Sequence, residues 1–338
     1  MSALAEALRD YQSIRKNIKV LSWKLSQLES QALLDKNSDW CMRRSACEVV
    51  ERFADQFQPS SRPCTGTDIY SGWHFGLSWL LGGNPLTRKA WEWTFTIQSL
   101  WNLGILNQER AASGIGFGCG TEPLISLLAN FNVELLATDL SSESELAKTW
   151  RETGQNTGNL GHLFHSRLVS GEDFTRRVRY QDMDMTAIPF GETEGRFDFA
   201  WSSCALEHLG SKRKGLDFII NSCRCLKPGG IAIHTTEYDH TGTSQIDNWP
   251  TVLYTRADIL DLQSELDASG VELLKPEFKQ SGYFIDGYVD IPPYPCGEHF
   301  DASFFQADGS PDPSDIPQIN LSIDGYKATS YGMILRRR

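Results

Sequence analysis

The chain holds 338 residues, 40% of them hydrophobic and 22% charged, enough for one large domain with an attached segment or for two modest domains. Its 28 Gly, 14 Pro, 17 Phe, 10 Tyr and 10 Trp follow no short period, which excludes collagen-like, purely coiled-coil and low-complexity chains. With 43 Asp and Glu against 32 Lys and Arg the net charge is −11, so no general attraction to nucleic acid or an anionic membrane surface is expected.

No run approaches the roughly 20 apolar residues of a membrane span. The opening Met-Ser-Ala-Leu-Ala-Glu lacks the apolar block of a signal peptide, and a cytoplasmic protein is expected. The eight cysteines include no C-x-x-C, and Cys223-x-Cys225 has no matching Cys/His pair nearby. A zinc site is not expected, and the thiols read as small buried residues of a reducing compartment. The closing Arg336, Arg337 and Arg338 read as a solvated tail.

Leu4, Tyr11, Ile18, Leu25 and Ala32 recur every seven residues, with Ala7, Ile14, Leu21 and Leu28 as a second row three positions on. This is the a/d pattern of a coiled coil over about four heptads, and one helix is expected over residues 2–34. In a parallel pair Asp10 would face Arg15 of the partner subunit, and Lys24 would face Glu29 of the partner subunit, both opposite in sign. A homodimer through residues 2–34 and a helix laid on its own domain are both open. A second helix is expected over 39–57, ended by Gln58-Pro59-Ser60-Ser61-Arg62-Pro63. A third starts at Asn84-Pro85 and runs through about Trp101, with Trp91, Trp93, Phe95 and Trp101 packing it onto the domain C-terminal to it.

From residue 109 strands and helices alternate, the pattern of a parallel sheet covered on both faces. Residues 111–117 read as a buried strand, 118–123 as a turn, and Leu124 to Asn130 as the start of a helix. The glycines at 116, 118 and 120 let backbone approach a ligand closely. G-x-G-x-x-G fails from each possible start, since Cys119, Thr121 or Pro123 falls at the last place, and no Gly-Lys-Ser/Thr follows for a phosphate loop. The remaining ligand for this topology is S-adenosylmethionine, whose amino-acid tail needs backbone groups.

The next strand, Val133 to Thr138, ends at Asp139, suited to accept from both ribose hydroxyls. A third, near Val178 to Met183, ends at Asp184, suited to the adenine amino group, with Met185 beside it. The fourth strand, Phe197 to Ser202, leads into Cys204 and Glu207-His208. A fifth, Gly230 to His234, follows Lys227-Pro228-Gly229-Gly230. A hairpin, 319–323 and 328–335 about Asp324-Gly325, completes the sheet with an antiparallel strand.

The runs GFGCGTEPL, VELLATDL, DMTAIPF, FDFAWSSCALEHL and LKPGGIAIHTTE resemble the successive motifs of class I S-adenosylmethionine-dependent methyltransferases. The similarity extends to a bacterial subgroup associated with surface-polysaccharide gene clusters, through Gly-Thr-Glu-Pro-Leu, Trp-x-x-Thr-Gly-Gln and a C-terminal Asp-Gly-Tyr…Thr-Ser-Tyr-Gly pattern. The resemblance implies a Rossmann-like seven-stranded mixed α/β sheet with its last strand antiparallel, a helical extension over 1–108 and a methyltransferase domain over 109–338. It implies a cofactor set of Gly116, Gly118, Gly120, Glu122, Asp139, Asp184, Met185 and Ser202. The family acid two places before the first loop glycine is replaced by Gly116, so Glu122 or a main-chain carbonyl is expected to take the methionine amino group.

Methyl transfer aligns acceptor, methyl and sulfur and removes a proton from a hydroxyl acceptor. His208 is the first imidazole after the fourth strand and the leading base candidate, with His234, Glu237 and Tyr238 as rivals. Tyr288 to Tyr294, with Asp290, suits a polyhydroxylated acceptor. Glu298, His299 and Asp301 could form a metal group, but no second cluster supports one and no metal is expected. The expected function is O-methylation of a sugar or glycan precursor. Methylation of another small metabolite on oxygen or nitrogen, or a catalytically inactive cofactor-binding or assembly protein, are the alternatives.

Overall fold

In a computed structural model, residues 3–41, 44–82, 84–152, 154–248, 250–292, 294 and 316–338 are described. Glu298, His299 and Asp301 lie outside them. The strands, in chain order, are β1 (Arg62–Pro63), β2 (Ala112–Gly116), β3 (Val133–Asp139), β4 (Val178–Asp182), β5 (Phe197–Ser203) and β6 (Leu226–Asp239). They continue as β7 (Asp247–Asn248), β8 (Thr251–Val252), β9 (Val271–Leu273), β10 (Leu321–Ile323) and β11 (Tyr326–Arg337).

One nine-stranded sheet carries the fold, in the order β1-β11-β6-β5-β2-β3-β4, with β9 and β10 also paired to β11. The strands β2 to β6 run parallel, and β11 is antiparallel to β6. This is the expected Rossmann-like mixed sheet, with nine strands in place of the expected seven because the short β1, β9 and β10 all pair with the long β11. Central strands of such a sheet are covered on both faces, and β5 accordingly buries every residue after Phe197. The fifth parallel strand is longer than expected. A register shift lets Lys227-Pro228-Gly229-Gly230 bulge within it, and pairing with the long β11 extends it to Asp239. Arg336 and Arg337 lie in β11 rather than in a solvated tail, and Arg337 donates to the carbonyls of Arg224 and Leu226.

Besides a single turn at Gly66–Ile69, the α-helices before β2 are α1 (Ala3–Cys41), α2 (Ala46–Arg52), α3 (Gly72–Leu81) and α4 (Arg88–Asn102). The second is shorter than expected, because a Ser45/Glu48 capping box sets its start. The last starts at Arg88, where the Thr87 hydroxyl accepts from the Ala90 amide, while Asn84 accepts from Leu86 in the preceding turn. Trp91 and Phe95 are fully buried and stack at 4.7 Å, and Phe95 lies so close to β11 that a Cβ at Gly332 would sit 2.4 Å from its ring. Among the described residues no helix is long and apolar enough to cross a membrane.

The long first helix sits on the domain through a polar face. Lys19, Ser22, Ser26 and Ser30 are the buried ones. The Lys19 ammonium pairs with Asp290 and donates to the Ile291 carbonyl at 3.2 Å. Arg15 donates to the Pro292 carbonyl, and Glu29 accepts from the Phe284 amide and the Tyr70 hydroxyl. Asp290 also accepts from Tyr288 and Gln318. Its expected place in an acceptor site is therefore corrected: this fully buried carboxylate anchors the helix.

Candidate functional site

A cleft of about 620 Å³ opens at the C-terminal ends of the parallel strands, within the usual ~300–1,000 Å³ of small-molecule sites. Loops after β2, β3, β4 and β5 line it. Gly118 and Gly120 take left-handed conformations (φ 58° and 53°), and side chains there would also meet Ala205 Cβ at 2.8 Å and the Gln155 carbonyl at 2.7 Å. The turn thus runs its bare backbone along the floor. Asp139 ends β3 with Oδ2 accepting from the Gly120 and Thr157 amides and Oδ1 from Leu140. Burial pushes its carboxyl above the ordinary aspartate value, against those three hydrogen bonds.

Asp184 follows β4 and caps its own turn through Thr186, with Met185 beside it in the lining. Trp150 and Gln155, from the Trp-x-x-Thr-Gly-Gln stretch, line the same cleft. The Trp150 ring stands edge-on to His208, centroids 5.5 Å apart. His208 Nδ1 lies 2.8 Å from the Pro250 carbonyl oxygen. A carbonyl only accepts, so in the neutral ring Nδ1 carries the hydrogen and Nε2 the lone pair.

The third wall comes from a residue that sequence reasoning misses. Lys89, on α4, lines the cleft and bonds Glu122 Oε1 at 2.8 Å and the Ser203 carbonyl at 3.2 Å. Glu122 Oε2 accepts from Trp93 Nε1 at 2.8 Å, so this tryptophan holds a cleft carboxylate as well as packing its helix. Cys204, at the end of β5, holds φ 48°, a strained value for a side chain, and also lines the cleft.

Of the expected set, Gly118, Gly120, Glu122, Asp139, Asp184, Met185 and His208 meet in the cleft, whereas Gly116, Ser202, His234 and Glu237 are not in its lining. Gly116 serves packing, since a Cβ there would lie 2.3 Å from the Trp201 ring. His234 is fully buried between the Ser202 and Ser222 hydroxyls, each at 2.8 Å, and burial lowers its pKa to about 3. It cannot serve the cleft as a base. Ser202 is engaged with that histidine.

Glu237 lies behind the wall. Its Oε1 pairs with Arg88 at 2.5 Å, and its Oε2 is buried with no hydrogen-bond partner among the described residues. Glu207 accepts from Thr236 through one oxygen while the other is likewise unpartnered, and burial raises its carboxyl above the ordinary range. Ligand atoms of Cys204, Glu207 and Glu237 come within 4.8 Å of one another. Burial keeps the Cys204 thiol protonated, and the Arg88 guanidinium already supplies the group's cation, 3.8 Å from that sulfur.

Residues 115–234 match a family model described as a methyltransferase domain. No curated protein matches the chain in sequence. Among solved structures, a Galdieria sulphuraria protein provisionally described as a sarcosine dimethylglycine methyltransferase is similar at 18% identity over 74% of this chain and 84% of that one, TM-score 0.42. A SAM-dependent methyltransferase from Aquifex aeolicus is similar at 12% identity over 71% and 87%, TM-score 0.35. The Burkholderia thailandensis 1,6-didemethyltoxoflavin-N1-methyltransferase, with S-adenosylhomocysteine bound, is similar at 14% identity over 68% and 72%, TM-score 0.34. The stretch that matches the methyltransferase-domain model runs from β2 into β6 and so takes in the parallel strands of the sheet.

Proposed function

We propose that the protein transfers a methyl group from S-adenosylmethionine to a hydroxyl of a small polyhydroxylated acceptor, a sugar or glycan precursor. One observation carries this reading. Two carboxylates, Asp139 and Asp184, end neighbouring parallel strands and face one cleft with the Gly118–Gly120 turn, while His208 stands in the same cleft with Nε2 as acceptor. The sugar rests on the resemblance of the Gly-Thr-Glu-Pro-Leu loop.

The donor set fits the cofactor. Asp139 suits the ribose hydroxyls, and Asp184 the adenine amino group. Glu122 has both oxygens engaged by Lys89 and Trp93, which favours a main-chain carbonyl for the cofactor's ammonium and leaves Lys89 for its carboxylate. When bound, the cofactor supplies an electrophilic methyl whose departure leaves a neutral thioether. His208 accepts the acceptor's proton at Nε2, with Trp150 fixing the ring's edge and the Pro250 carbonyl its tautomer.

Two outcomes test this. Lys89→Ala is expected to weaken S-adenosylmethionine binding about tenfold in calorimetry, the lower range for one charge-assisted contact. A screen of nucleotide sugars and lipid-linked oligosaccharides with labelled cofactor identifies the acceptor. With that acceptor, His208→Ala is expected to lower kcat by about 10²–10⁴ with cofactor affinity unchanged. Retained turnover at saturating acceptor would remove the base role.

The unpartnered oxygens of Glu207 and Glu237 favour a second reading. Arg88 and Lys89 stand against Glu92, Glu122 and Glu237, of which Glu122 lines the cleft and the others lie behind it, a surplus of one carboxylate that suits an amine acceptor. Small amines belong in the same screen, and nitrogen methylation there would replace the hydroxyl reading.

A further inference from the structure

Helix α1 is held to the domain by one face and presents its heptad residues on another. Tyr11, Ile14, Ile18, Leu21 and Leu28 are 47–75% exposed, whereas Lys19, Ser22, Ser26 and Ser30 are buried against the domain. Elsewhere among the described residues, the large apolar side chains with comparable exposure are Trp79, Leu146, Leu260 and Tyr283, in four separate parts of the chain. A lone exposed leucine needs no explanation, but five in one stripe do.

The period says what covers the stripe. A straight helix drifts about 20° per heptad against a seven-residue repeat, so a stripe lying on a flat or globular surface loses that repeat over four heptads. Two supercoiled helices keep it. Width says the same. The flanking g positions are Asp10, Asn17, Lys24 and Gln31, and the e positions after Leu8 are Arg15, Ser22 and Glu29, so from Asp10 on the apolar seam is the narrow a/d seam of a helix pair. Ile18 at an a position with Leu21 and Leu28 at d positions are two-strand choices, whereas Leu4 and Leu25 at a and Ile14 at d are not.

We propose that a second copy of this chain covers the stripe, the two α1 helices pairing in parallel as a two-stranded coiled coil. Charge supports the parallel sense. Asp10 then meets the partner's Arg15, and Lys24 meets the partner's Glu29. Within each chain Arg15 and Glu29 are already held at the seam's edge by the Pro292 carbonyl, the Phe284 amide and the Tyr70 hydroxyl. The domain leaves the seam open, because it grips the helix at b, e and f positions.

Light scattering and sedimentation of the full chain over a dilution series test this. The expected mass is twice that of the 38.0 kDa chain. Ile18→Asp with Leu21→Asp is expected to give the single-chain mass with unchanged cofactor affinity, since neither residue lines the cleft. Leu21→Cys is expected to oxidise to a covalent dimer under conditions where the parent chain does not, because d residues meet their own copies in a parallel pair. It keeps the test open if the aspartates prevent folding. A single-chain mass at every concentration overturns the proposal, as does a dimer that survives both aspartates or one that Leu21→Cys cannot cross-link. A monomer that sediments with anionic vesicles overturns it in favour of a membrane-facing helix.

Discussion

Asp139→Ala is expected to weaken S-adenosylmethionine binding by about 10²–10⁴-fold in calorimetry. Two hydrogen bonds to a charged acceptor contribute about 1.5–3 kcal/mol each, and each 1.4 kcal/mol is about tenfold in Kd. The carboxylate also ties the glycine turn to the neighbouring loop, through the amides of Gly120 and Thr157. Its removal therefore loosens the floor as well as removing the acceptor. Because burial raises its pKa above the ordinary value, acidification removes the charged form at a higher pH than for an exposed aspartate. Binding is expected to weaken correspondingly early as pH falls. A change under about threefold in Asp139→Ala would place the ribose elsewhere.

Asp290→Ala is expected to destabilise the protein by about 3–5 kcal/mol in urea unfolding, the cost of leaving one partner of a buried ion pair alone. Lys19 and Asp290 are 1% and 0% exposed. Burial already lowers the lysine's pKa, with Asp290 opposing that shift. Without the aspartate, the Ile291 carbonyl is the contact left to the ammonium. Replacing both partners by apolar residues of similar volume, Lys19→Met with Asp290→Leu, should recover most of the loss. A single variant within about 1 kcal/mol of the parent would mean that water or rearrangement reaches the site.

These residues also mark what the sequence makes legible. Asp139, Asp184 and His208 stand just past the ends of apolar strands, so a local pattern is enough to find them. The glycine turn is local too. Lys89 is hidden because it precedes the sheet by two dozen residues, and only the packing of α4 on β11 brings it to Ser203. Asp290 is misread for the same reason: its partner lies 271 positions upstream. His234 fails differently. A strand buried on both faces offers no alternation to tell a cleft residue from a core one. The helix Gly72–Leu81 carries no amphipathic signal, since it is buried over almost its whole length.

The anchor between Lys19 and Asp290 also orders events in time. At about 5–20 residues per second, a ribosome takes roughly 15–50 s to go from the first of these residues to the second. Pairing of β1 with β11 waits longer still, for residues 331 and 332. For most of that interval the first helix is clear of the tunnel while its Asp290 anchor has yet to be made. If the first helices pair as proposed, sister chains on one messenger could meet through them before either has a folded domain, and assembly would be decided during synthesis.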